Sequence, residues 1–169
     1  LLSSCQLFVI FNHYNFTSLH NDVIIHEFGH KIFCQLLGVK IHKVCYFRFK
    51  NPCGYVIHDM PQKFIQTFLI TVGPLIVNSL TAILIFILAK FSGNGLLIWL
   101  GFSVGMHSFP SSGDAKSLWK ESNRHIKNNF LAIVGYPFAI LIWIASILSI
   151  IWFDFIYAGL LYSLVKFIS

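Results

Sequence analysis

Three stretches of the sequence, residues 64–89, 91–113 and 128–153, contain no Asp, Glu, Lys or Arg. Each exceeds the roughly 20 residues that a helix needs to cross the hydrocarbon core of a bilayer. Backbone in lipid must satisfy its own hydrogen bonds, so segments of this kind fold as helices. Composition agrees, because only 11% of the 169 residues are charged and 56% are apolar, whereas about 25% of an ordinary soluble domain is charged. Two weaker apolar segments, 1–19 and 155–165, add to the count. The expected fold class is mainly α, a polytopic membrane bundle of about five to six hydrophobic helices. It forms one domain over 1–169, with a core at 20–118 and a C-terminal helical hairpin at 129–168 around Asp154.

The chain begins at Leu1, and its opening run "LLSSCQLFVIF" covers about half a bilayer. It has neither a basic leader nor a small-x-small cleavage site. The expectation is an N-terminally incomplete chain lacking an upstream half-helix, rather than a signal peptide.

A net charge of +6 raises the question of nucleic acid, but the placement of the charge answers it. Ten of the twelve Lys and Arg fall on one side if the spans alternate. Five lie in 39–63, four in 114–127, and Lys166 is near the end; Lys90 falls in the opposite loop and Lys31 within a helical segment. That bias marks a cytoplasmic side and contact with lipid headgroups, and it excludes a nucleic-acid partner as the reading of the charge. Cys5, Cys34, Cys45 and Cys53 show no CxxC spacing and are expected as free thiols in a reducing compartment.

Residues 26–30 read "HEFGH", in a chain with only two glutamates, Glu27 and Glu121. The surrounding segment, about 19–37, lacks proline and ends at Gly38, so it reads as a helix. At a spacing of four, His26 and His30 share one helix face and can grip a single zinc ion, while Glu27 is offset toward a water as general base. Random shuffling of this composition would produce the pattern in roughly 4 chains per thousand. The alternative is a helix whose polar residues simply pair with neighbouring helices.

A hydrolytic zinc needs a third protein ligand and one open position. Asp114 is the candidate, because Pro110 and "SSG" break the preceding segment and free the backbone to turn the carboxylate inward. The competing reading is that Asp114 caps the amphipathic segment "AKSLWKES" with help from Ser111 or Ser112. His107 is a rival ligand, and Glu121 reads as a solvated partner of Lys or Arg. Between the motif and the first long span, "KIHKVCYFRFKNPCGYVIHD" alternates around Asn51-Pro52-Cys53-Gly54, which predicts a membrane-associated β-hairpin with Phe47 and Phe49 on one face and Tyr46 and Arg48 on the other. Asn78, within "GPLIVNSL", either stabilises an oxyanion or holds a substrate backbone, or else bonds to another helix.

In the order "HEFGH", hairpin, "GPLIVNSL" and "HSFPSSGDA", residues 20–118 resemble the site-2 protease family of intramembrane zinc metalloproteases. The chain departs from that pattern at four points. His107 stands where the family has asparagine, the interval from Pro110 to Asp114 is one residue shorter, Ala115 replaces a glycine, and Asn78 comes one residue later. The resemblance implies a zinc metalloendopeptidase, with zinc held by His26, His30 and Asp114, Glu27 as catalytic base and Asn78 assisting. The substrate would be a membrane-spanning or membrane-anchored protein cut near the cytoplasmic face, with an edge of the hairpin available to an extended substrate segment. The same residues also admit two other functions, an inactive membrane scaffold of this type and a metal transporter.

Overall fold

In the computed structural model, residues 18–48 and 52–168 are described, with side chains from Val23 onward. Among them are six α-helices and one two-stranded sheet. The helices are α1 (Ser18–Leu36), α2 (Phe64–Ser92), α3 (Gly95–Met106), α4 (Ser112–His125), α5 (Ala132–Leu148) and α6 (Phe153–Phe167), and a 3-10 turn (Ser149–Ile151) follows α5.

Helix α1 carries the His-Glu-x-x-His motif and stops where the sequence supplies its glycine. Gly38 adopts φ +68°, its N–H donates to Gln35 O, and Val39 N donates to Cys34 O at 2.8 Å. This is the Schellman arrangement, which satisfies the last carbonyls of a helix. Gln66 then fastens α2 to that end. Its Nε2 donates to Leu37 O at 3.0 Å, while its Oε1 accepts from the backbone of Gln62 and Lys63 at the start of α2. The two helices approach closely at Gly29, where a Cβ would lie 2.8 Å from Pro74 Cα, and at Gly73, which abuts the Phe33 ring.

Strands β1 (Ile41–Cys45) and β2 (Tyr55–His58) pair antiparallel, and the register slips between Ile41 and Lys43. His42 is the extra residue, and the bulge turns its ring toward Asp59, with Nε2 2.6 Å from Oδ1. The strands are shorter than the alternation implied. Tyr46, Phe47 and Arg48 belong to the connection, where Arg48 N–H donates to Cys53 O and the guanidinium stacks over Tyr55 at 4.8 Å. Tyr46, Phe47 and Arg48 thus lie beyond the paired part of the strand, and Phe49 lies outside the described residues.

Two helical segments are long and apolar enough to cross a membrane: Phe64–Ser92 and Ala132–Ile151. Much of their apolar surface points outward, as at Leu80, Leu84 and Leu88 on α2 and Leu141, Ile144 and Ile147 on α5. The third uncharged stretch, 91–113, corrects the expectation of a further full span. Gly93 turns the chain at φ +64°, and the side chain of Asn94 caps α3 by accepting from Leu96 N. Helix α3 is only 12 residues, or about 18 Å long. It ends at His107, ahead of Pro110, whose ring disfavours helix in the residue before it.

Helix α5 packs mainly on α4, and α6 mainly on α3 and α2, so the two C-terminal helices are not each other's chief partners. Trp152, at φ 64°, turns the chain between them. Phe64, Ala115, Leu118 and Ile142 form one core at the α2, α4 and α5 junction. Ala82, Phe86 and Val104 form a second, beside Tyr162 of α6. Cys34 and Cys45 are free, but Cys53 is disulfide-bonded, which corrects the expectation of free thiols; Cys5 lies outside the described residues. Spacing along the chain does not reveal which sulfurs a fold brings together.

Candidate metal centre

Helix α1 projects His26 and His30 from one face, with ring centroids 5.2 Å apart and planes at 74°. Each ring is held by its Nδ1. His26 Nδ1 lies 3.0 Å from His107 O, at the C-terminus of α3, and His30 Nδ1 lies 2.9 Å from Ile70 O, in α2. A carbonyl only accepts, so both Nδ1 atoms carry a proton, and Nε2 is the atom through which each neutral ring can present a lone pair to a cation. Metal-bound histidines are commonly oriented in this way.

Asp114 enters from the first turn of α4. Its Oδ1 is 3.4 Å from His30 Nε2. Its Oδ2 accepts from Ser111 N at 2.8 Å and from Ser111 Oγ at 2.6 Å, while Ser111 Oγ accepts in turn from Asp114 N. The carboxylate therefore occupies both positions considered for it: one oxygen closes a capping box and the other faces the imidazoles. Burial alone would raise the Asp114 carboxyl, but the neighbouring His30 and His26 and the hydrogen bond from Ser111 hold it below the ordinary value.

One donor atom from each of His26, His30 and Asp114 lies within 4.8 Å of the other two, the only such group among the described residues. The donor chemistry fits a metal ion. An Nε2 lone pair and a carboxylate oxygen 3.4 Å apart repel each other unless a proton or a cation stands between them. Two imidazoles and one carboxylate are also a familiar ligand set for hydrolytic zinc.

Glu27 is buried, with 8% of its surface exposed, and it lies beneath the hairpin turn. A Cβ at Gly54 would come within 2.5 Å of Glu27 Cγ and 2.8 Å of Oε1, so only glycine allows the turn to sit this close. The four residues line a cavity of about 1040 Å³. Its walls also include Tyr55 and Val56 of β2, Thr67 and Thr71 of α2, Ser146 of α5 and Asp154 of α6.

Asn78 is fully buried and does not line this cavity. Its Nδ2 donates to His107 O at 2.8 Å, the interhelical bond weighed for it from the sequence. His107, the rival ligand, contributes its backbone carbonyl to His26, and its own Nδ1 faces Ser103 O at 3.2 Å. Glu121 is paired with Arg124 at 3.4 Å, but it is buried rather than solvated and is also 3.4 Å from His125 Nε2. It shares the cavity wall with Asp114 because seven residues are close to two helical turns. Gly54 and the carbonyls of His107 and Ile70 are the components that sequence reasoning missed. Backbone acceptors leave no mark on residue type, and Gly54 read only as a turn former.

No family model, curated protein or solved structure matches the chain.

Proposed function

We propose that the chain is a multi-pass membrane zinc endopeptidase that hydrolyses a peptide bond in a membrane-spanning or membrane-anchored protein near the cytoplasmic face, as its sequence resemblance to the site-2 protease family implies. The observation that carries the reading is the convergence of His26, His30 and Asp114 within 4.8 Å, with buried Glu27 beside them on one cavity wall.

His26 and His30 would hold zinc through Nε2, and Asp114 through Oδ1. Bound there, zinc supplies Lewis acidity, making a water acidic near neutral pH and polarising a substrate carbonyl. Glu27 takes the proton of the attacking water at a carboxylate oxygen and passes it to the leaving amine, the two halves of general acid–base catalysis. Gly54 keeps the turn against that carboxylate and shields it from bulk solvent. Tyr55 and Val56 bring the edge of β2 to the cavity, where an extended substrate segment gains backbone hydrogen bonds by strand addition. The Lys and Arg bias orients this end of the bundle to the cytoplasm.

The test uses the full chain in lipid vesicles with zinc and a co-reconstituted single-span protein, and product masses locate the cut. Cleavage by the wild type, and none by Glu27→Gln with zinc content unchanged, is the expected result. Cleavage by Glu27→Gln at the wild-type rate would overturn the assignment.

A further inference from the structure

The carbonyl of His107 receives two donors, His26 Nδ1 at 3.0 Å and Asn78 Nδ2 at 2.8 Å. It thereby joins the motif helix α1, the long helix α2 and the end of α3 at one atom. We infer that Asn78 is a positioning residue for the metal centre, fixing the His107 carbonyl that in turn sets the tautomer and aim of His26; this rests on the zinc reading above.

The direction of the Asn78 amide is not ambiguous. Turned over, it would place Oδ1 against a carbonyl oxygen, so the NH₂ group must face His107. A carbonyl has two lone pairs, and here each has a donor, which leaves the peptide no freedom to rotate away from His26. His107 lies just past the last turn of α3, where helix carbonyls lack partners within the helix. Without Asn78 the carbonyl would lose the 2.8 Å bond that ties it to α2, and the ring that depends on it would lose that fixed reference.

Stability does not explain a fully buried amide at this position. Among the described residues Asn78 Oδ1 has no hydrogen-bond partner, and an unsatisfied buried acceptor opposes folding. Ser79, the next residue, provides the contrast. Its Oγ lies 2.7 Å from Tyr157 Oη on α6, a contact between helices made by two residues that do not line the metal cavity. A residue that only glued α2 to its neighbours would behave like Ser79.

Zinc affinity, measured by competition with a chromophoric chelator, separates the two roles in the full-length protein in detergent. Asn78→Leu and Asn78→Ala are expected to bind zinc about 10- to 100-fold more weakly, the range for loss of an outer hydrogen-bond partner of a metal ligand. Ser79→Ala should retain wild-type affinity. The cobalt-substituted Asn78 variants should show an altered visible spectrum, and Ser79→Ala an unaltered one. Two Asn78 variants are used so that misfolding of one leaves the other to decide. Wild-type affinity in a folded Asn78 variant, or an equal loss in Ser79→Ala, would overturn the inference while leaving the zinc assignment intact. Failure of the wild-type chain to bind zinc would instead remove the assignment on which the inference rests.

Discussion

Asp114 divides its two carboxylate oxygens between two tasks, one 3.4 Å from His30 Nε2 and the other accepting from Ser111 N and Oγ. Two substitutions separate these tasks. Asp114→Asn keeps an oxygen for Ser111 but removes the charge offered to a cation, whereas Asp114→Ala removes both. Both variants should lose zinc by more than the ~10- to 100-fold that an outer hydrogen-bond partner is worth. Only the alanine variant should also lose about 0.5–2 kcal/mol of metal-free stability, the usual value of a helix cap. Chelator competition and thermal unfolding with EDTA present check the two effects.

Gly54 packs directly on Glu27, so a single methyl group there tests how tightly the base is held. In Gly54→Ala the new Cβ would sit 2.5 Å from Glu27 Cγ and must push the carboxylate aside. Zinc content should be unchanged and cleavage should fall about 100-fold, the scale for an ångström of misplacement at a reacting group. Equal rates for the variant and wild type in the vesicle assay would show that the hairpin turn does not position Glu27.

Where α1 crosses α2, Gly29 faces the backbone of Pro74, which cannot yield as a side chain would. Gly29→Ala would bring a Cβ to 2.8 Å from Pro74 Cα and 3.0 Å from Pro74 N. The helices must then separate at a cost of about 1–3 kcal/mol, the usual penalty of overpacking. Because Ile70 O holds His30 across the same interface, zinc affinity should fall together with thermal stability. Circular dichroism melts and metal titration of one preparation test that coupling.

At the base of the hairpin the exposed Asp59 carboxyl is held below its ordinary value, first by the hydrogen bond with His42 and then by the charges of His42, Lys40 and His58. A carboxylate lowered in the folded state contributes stability above its unfolded pKa of about 3.9, and loses it as pH falls through the folded value. Carbon-13 titration of Asp59 should therefore give a midpoint below that reference. In His42→Ala the midpoint should rise towards it.

Much of this arrangement is legible in the sequence, and the limits have physical causes. The spacing of His26, Glu27 and His30 fixes their faces once a helix forms, and Gly38 marks where it stops. Alternation around Pro52 and Gly54 locates the hairpin, although the ends of its strands depend on loop hydrogen bonds made by Arg48. The absence of charge over 91–113 suggested a full span, because hydropathy is blind to the break that His107, Ser108 and Pro110 impose. Asp114 read as a ligand, with a helix cap as the competing reading, because sequence shows one residue, whereas the carboxylate has two oxygens and uses both. The carbonyls of Ile70 and His107 that orient the imidazoles were hidden altogether, since any residue type presents the same backbone acceptor. Glu121 looked solvated beside its basic neighbours, and only the packing of α4 reveals it as buried.

The central claim is that His26, His30 and Asp114 together hold one zinc ion, and X-ray absorption at the zinc edge of the purified, zinc-loaded chain tests it most directly. The expected spectrum shows one zinc per chain with nitrogen and oxygen ligands at about 2.0–2.2 Å and the scattering signature of two imidazoles, reduced to one in His26→Ala. Zinc absent from the purified chain, or a spectrum without imidazole that is identical in His26→Ala, would contradict it.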